Sequence, residues 1–166
     1  MSEVGQRERV TQDRVVQLFI NDLDYRYLGN LHDLNNKNIR EQDLKAWLKK
    51  RSISGVLIQK AFRQIDAASA LGEGRKLYYA NKDFYQLLRY GVKDKEGAGE
   101  QNQTVWLIDW ENPEDNDFAI AEEVSVQGEN KKRPDVVLYV NGIALGVIEL
   151  KRSTVGLTEG IRQNLD

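Results

Sequence analysis

The chain has 166 residues, with 24 Lys and Arg against 26 Asp and Glu for a formal net charge of −2, and 40% of its residues are hydrophobic. That length suits one compact domain with a single core, and the apolar share excludes a disordered tail or a polyelectrolyte arm. No apolar run nears the roughly 20 residues of a membrane helix, the opening MSEVGQRERVTQDR holds no signal-peptide core, and the absence of cysteine excludes disulfide scaffolds, thiolate zinc and cysteine nucleophiles, all in keeping with a cytoplasmic protein.

The first half reads as helical. Val15, Val16, Phe19, Ile20, Leu23 and Tyr27 fall on one stripe at helical spacing. His32, the single histidine, has no partner for a triad or a metal site and reads as a surface residue. Leu44, Trp47 and Leu48 mark a second helix, Leu57 through Ala68 a third, and residues 81–90 a fourth that stops at Gly91 before the polar loop KDKEGAGEQNQ. Gly72-Glu73-Gly74-Arg75-Lys76 lacks the Lys-Ser/Thr of a phosphate loop, so no ATPase motor is read here. The second half then turns to strands over 104–110, 118–126, 136–140 and 143–150, with helical spacing resuming after Thr154. Trp47, Trp106 and Trp110 sit in apolar settings and read as core. The order of elements predicts an α/β fold with a mixed sheet, and the uncapped last segment suggests a piece of a longer polypeptide.

Charge is segregated along the chain. Residues 37–63 carry eight basic residues against two acidic, whereas 109–123 carry seven acidic and no basic residue. A basic face of this kind can attract phosphates despite the near-neutral total, and two ordinary solvated surfaces would give the same pattern. For a nucleic-acid partner, the basic stretch and the cluster Lys131-Lys132-Arg133 should border one cleft, with the acidic segment away from it or carrying its own metal.

The chemistry concentrates in RPDVVLYVNGIALGVIELK, residues 133–151. Two apolar strands flank Asn141-Gly142, a strong hairpin signal, and Asp135, Glu149 and Lys151 gather at the open end of that hairpin. Carboxylates crowded together repel unless a divalent cation lies between them, and Mg²⁺ favours one or two carboxylates with waters and phosphate oxygens. Lys151 shares a strand face with Glu149 and can orient a water or offset charge on a phosphoryl group. The same three residues would also serve as solubilising charges and a same-face ion pair. What tells against this is their place directly after the apolar ALGVI run.

Strand parity sharpens the question. A plain two-residue turn at Asn141-Gly142 pairs Val140 with Ile143 and sets Asp135 opposite Ile148, which puts Glu149 on the other face of the sheet. A shared metal therefore demands a one-residue irregularity. A three-residue loop with Gly142 left-handed would supply it by pairing Tyr139 with Ile143, and so would a bulge elsewhere in either strand.

With Pro134 ahead of Asp135, the pattern Asp135…Glu149-Leu150-Lys151 resembles the PD-(D/E)xK nuclease motif. The surrounding words resemble the N-terminal nuclease domain of the R (restriction and motor) subunit of type I restriction–modification enzymes, as do ERVTQDRVVQLFINDLDYRYLG, NKDFYQLLRYGV, VWLIDWENPEDNDFAIAEE and EGIRQNLD. The resemblance implies a restriction-endonuclease-like α/β core, a mixed central sheet flanked by helices, as a single nuclease domain over 1–166 at the start of a much longer R subunit. It implies a Mg²⁺-dependent type I site-specific deoxyribonuclease, Mn²⁺ being a possible substitute, that cuts double-stranded DNA. ATP would serve only the absent motor, and methyltransferase and specificity subunits would be its partners. Asp135 and Glu149 would bind the metal with the Leu150 carbonyl, and Lys151 would be the catalytic lysine. Glu8 matches the acidic residue of the family's first helix, as a further metal ligand. Spaced i, i+4, i+7, i+11 with Gln12, Val15 and Phe19, it falls on the buried stripe, though an exposed first-turn glutamate favoured by the helix dipole fits equally. Gln163 opens the family's Q-x-x-x-Y element, whose tyrosine would fall just past Asp166. The competing reading is a catalytically decayed nuclease fold that binds DNA or docks onto a partner.

Overall fold

The structure, a computed structural model, describes residues 3–32, 36–71, 74–126 and 133–150, with side chains from Arg9 onward. In chain order the elements are α1 (Glu3–Asn21), β1 (Arg26–Asn30), α2 (Glu41–Lys50), α3 (Gly55–Ser69), α4 (Leu77–Tyr90), β2 (Val92–Asp94), β3 (Gln103–Val105), a 3₁₀ turn (Pro113–Asp115), β4 (Phe118–Glu122), β5 (Val136–Val140) and β6 (Ile143–Ile148). They form two compact units, Met1–Arg40 with Asp117–Asp166, and Glu41–Asn116.

The first unit is built on a four-stranded sheet in the order β1-β4-β5-β6. β1 runs parallel to β4 and the other pairs are antiparallel, so the sheet is mixed, as the element order predicts. Alternation gives the sheet two apolar faces. On one, Ile120 and Val136 pack with Val16 of α1, flanked by Phe19, Ile20 and Ile148. On the other, Ala119, Ala121, Val137 and Tyr139 pack with Leu31 and Val124. The stretch leading to Arg40 is tied to this sheet by bridges Asn36–Val126 and Ile39–Ile143 and by the Arg40 N–H on the Gly142 carbonyl at 2.7 Å.

In this unit the helical stripe read through Tyr27 is corrected. α1 stops at Asn21, Asp24 turns the chain at φ 56°, and Arg26 opens a strand. A non-glycine residue in the left-handed region cannot continue a right-handed helix, and Asp is among the few that tolerate it. His32 is exposed, as expected.

The second unit is largely helical. Its core contains Leu44, Leu48, Leu57, Ala61, Ile65, Val92, Val105 and Leu107. Ser54 caps α3 by accepting the Leu57 N–H at 3.3 Å, and Gly91 ends α4 with its N–H on the Leu87 carbonyl. The polar loop after Gly91 proves to join the two short strands of a β2–β3 hairpin. Past Val105 the expected strand over 104–110 gives way to an irregular loop built around Asp109. Its Oδ1 accepts the N–H groups of Glu111 (3.1 Å) and Asn112 (2.9 Å), and Arg51 lies 2.6 Å from Oδ2. These N–H groups, led by that of Asn112, and the Arg51 charge hold the Asp109 carboxyl below the ordinary range. Trp47 is core as expected, but Trp106 and Trp110 are each 47% exposed, because the loop geometry after Val105 turns both rings outward.

Gly91 has φ 70°, and a Cβ there would lie 2.5 Å from Thr104 Cγ2 and 3.0 Å from the Val105 carbonyl. Gly91→Ala should therefore cost roughly 2–4 kcal/mol from left-handed strain plus overpacking. Denaturant unfolding followed by circular dichroism checks this, and a change below about 1 kcal/mol would contradict the close approach.

Candidate active site

The β5–β6 hairpin turns at Asn141 (φ 53°) and Gly142 (φ 82°), a two-residue loop with both positions left-handed. Val140 pairs with Ile143 and Tyr139 with Ala144, but Leu138 pairs with Gly146, so Leu145 is an extra residue on β6. The expected irregularity is present and Gly142 has positive φ. The three-residue loop is not formed, and the bulge lies within the strand instead. Beyond it Val137 pairs with Val147 and Val136 with Ile148. Continued by one residue, this register sets Asp135 opposite Glu149, and opposed residues share a face at about 4.5–5.5 Å between Cβ atoms. Asp135 Oδ2 accepts the Leu150 N–H at 2.7 Å across the two strand ends.

Beside this pair lies a buried polar cluster. Glu122, the last residue of β4, pairs with Val136 and is 3% exposed. Tyr27 Oη donates to its Oε1 at 2.6 Å, Gln12 Nε2 donates to Oε2 at 2.7 Å, and Arg9 lies 3.3 Å from Oε2. A buried carboxylate is tolerable only with such compensation. Gln12 Nε2 also reaches the Asp135 carbonyl at 3.5 Å, while the Glu123 N–H donates to that carbonyl at 2.9 Å. The acidic segment, expected away from the cleft or carrying its own metal, ends as the strand neighbour of Asp135, because β4 and β5 pair from Glu122 back to Phe118. Burial, followed by the Glu122 carboxylate, pushes the Tyr27 hydroxyl up to about 12.

The family model of the type I restriction enzyme R protein N terminus matches residues 5–166. The chain belongs to this family. It is 40% identical over 76 residues (42% of this chain) to the putative type I restriction enzyme MjaIXP endonuclease subunit of Methanocaldococcus jannaschii. It is 29% identical over 120 residues (68% of this chain) to the type I restriction enzyme HindI endonuclease subunit of Haemophilus influenzae. The chain spans 7% and 11% of the lengths of these two relatives. No solved structure matches it.

In this R-protein N terminus the structure brings Asp135, Glu149 and Leu150 together at the hairpin mouth. Lys151 and Gln163 lie outside the described residues, as do Lys131, Lys132 and the segment after Thr154. Glu8 is placed by its backbone on α1, one turn before Gln12. The basic stretch is divided between the units, with Lys37 and Arg40 in the first and Lys45 through Arg63 in the second. Arg133 pairs with Glu123 at 2.8 Å. A donor set of two carboxylates and a backbone carbonyl is the hard-oxygen chemistry that suits Mg²⁺. Glu122 has both oxygens engaged by Tyr27, Gln12 and Arg9, which ties α1 and β1 to the head of β5. Sequence reading missed Glu122 and Tyr27. The available signal was the alternation Phe118, Ile120, Glu122, which places the carboxylate on an apolar face.

Two outcomes follow. Glu122→Gln should destabilise the protein by about 1–3 kcal/mol, since it upsets the donors around a buried acceptor; unchanged denaturant stability would contradict the cluster. Because the folded Tyr27 pKa is raised, its contribution is complete below about pH 10 and is lost as pH rises toward about 12. Melting temperatures of wild type and Tyr27→Phe should converge across that window, and parallel curves would exclude the bond.

Proposed function

We propose that the chain is the Mg²⁺-dependent endonuclease domain of a type I restriction R protein, with a PD-(D/E)xK core, hydrolysing phosphodiester bonds of double-stranded DNA. The observation that carries this reading is the Leu145 bulge, which sets Asp135 opposite Glu149 with the Leu150 N–H on Asp135. Family membership and the endonuclease-subunit names of the relatives support it. The ATP-driven motor belongs to polypeptide outside this chain, and methyltransferase and specificity subunits are the proposed partners.

Asp135, Glu149 and the Leu150 carbonyl would hold the cation, with Glu8 as a further carboxylate from α1. When bound, Mg²⁺ supplies positive charge that lowers the pKa of a water and offsets charge on the phosphate. The Leu150 N–H fixes the Asp135 carboxylate through Oδ2 and leaves Oδ1 for the cation. Lys151 would present its ammonium to the phosphoryl oxygens, and Gln163 of the Q-x-x-x-Y element would be a further catalytic residue. The Glu122 cluster keeps the head of β5 in place, so it acts through positioning alone.

In the assembled restriction complex, Asp135→Ala, Glu149→Ala and Lys151→Ala should each lower DNA cleavage by about 10²-fold or more, with ATP hydrolysis retained. Cleavage that survives Asp135→Ala or Lys151→Ala would leave the docking-module reading in its place. On the 166-residue chain, millimolar Mg²⁺ or Mn²⁺ should raise the melting temperature of wild type but not of Asp135→Ala.

A further inference from the structure

The second unit carries a surface that the cleavage reading does not use. On α4, Tyr78, Lys82, Tyr85 and Arg89 fall at i, i+4, i+7 and i+11, one stripe about 16 Å long at 1.5 Å per residue. All four are exposed, Tyr78 at 68% and Tyr85 at 58%. Lys82 and Arg89 make no ion pair among the described residues, whereas Asp83 on the same helix is held by Arg75 at 2.7 Å. Aromatic and cationic side chains thus alternate along the helix.

The stripe ends at a pocket of about 340 Å³, walled by Tyr90, Trp106 and Trp110. The Arg89 guanidinium lies 5.5 Å over the Trp110 ring, and the Trp110 Nε1–H is fixed on the Leu88 carbonyl at 3.0 Å. Two arginines, Arg51 and Arg89, face two carboxylates, Asp109 and Glu111, around this pocket, so its charge is balanced. A neutral planar group suits such walls, while the cations of the stripe suit phosphates.

We propose that the outer face of α4 and the Trp106–Trp110 pocket bind single-stranded DNA, with bases stacked on the tyrosines and one base in the pocket. Duplex DNA hides its base faces and has nothing to stack on these rings. A purely apolar partner would leave Lys82 unanswered at the contact. The choice of DNA over RNA rests on the nuclease reading; the stacking surface itself does not.

The test is titration of the 166-residue chain with an oligothymidylate at low salt in EDTA, read by tryptophan quenching. Tyr85→Ala and Trp110→Ala should each weaken binding roughly 5- to 100-fold, and Lys82→Gln should reduce the salt dependence by about 0.7 in the log–log slope. Asp135→Ala should bind as wild type, which separates this surface from the cleavage site. An abasic strand of equal length should bind more weakly and be indifferent to Trp110→Ala. Tyr85 is 58% exposed, so its variant stays informative if Trp110→Ala unfolds. Unchanged affinity in Tyr85→Ala, equal binding of abasic or duplex strands, or self-association abolished by Tyr85→Ala without DNA binding would each overturn the proposal; an oligouridylate bound more tightly than oligothymidylate would overturn the choice of DNA.

Discussion

Side chains on a strand change face with every residue, so one extra residue decides which of them meet. In the β5–β6 hairpin that residue is Leu145. A glycine stands beside it at 146, where an added Cβ would lie 3.3 Å from Leu138 Cδ1, so the narrowest side chain sits where the two strands press together. Without the bulge the turn would fix a register in which Asp135 and Glu149 point to opposite sides. The remaining features of the first unit, from the β4–β5 ladder to the docking of α1, build outward from this hairpin.

The Glu122 cluster extends the same logic from backbone to side chains. A carboxylate this buried cannot be left without partners, and its three partners come from two elements: Tyr27 on β1, Gln12 and Arg9 on α1. Each loses an interaction if its element shifts, so the cluster fixes β1 and α1 against the end of β4. Gln12 and the Glu123 N–H together converge on the Asp135 carbonyl, which ties the backbone of the candidate ligand to that framework.

Much of this was legible in sequence. Asn-Gly between two alternating apolar runs located β5, β6 and their turn, and the demand that two carboxylates share a face implied an irregularity in the hairpin. Where along β6 it falls is decided by packing against Leu138, which no local pattern encodes. β1 was hidden because Tyr27 continues the periodicity of α1, and only the left-handed Asp24 breaks it. β2 was hidden by length, three residues at the edge of a polar loop. Trp106 has apolar neighbours in sequence and Trp110 follows the same apolar run, yet both rings are half exposed around the Asp109-centred loop. Glu122 belonged to a run of acidic residues that includes the exposed Glu111, Glu114 and Asp115, and its burial depends on strand pairing across the chain.

The Asn141-Gly142 turn has a consequence for how the protein ages. Asn followed by Gly is the dipeptide most open to attack of the next backbone nitrogen on the side-chain amide, which closes a succinimide and opens to aspartate or isoaspartate. Here Asn141 is fully buried, its Oδ1 accepts the Asp117 N–H at 2.8 Å, and its own N–H donates to the Asp117 carbonyl at 2.8 Å. The folded turn therefore withholds both the amide and the water that the later ring opening needs. Unfolding releases them, and a chain so altered would have to rebury a new carboxylate beside Asp117 to refold. Deamidation at this one turn would thus act as a clock that runs only while the hairpin is open.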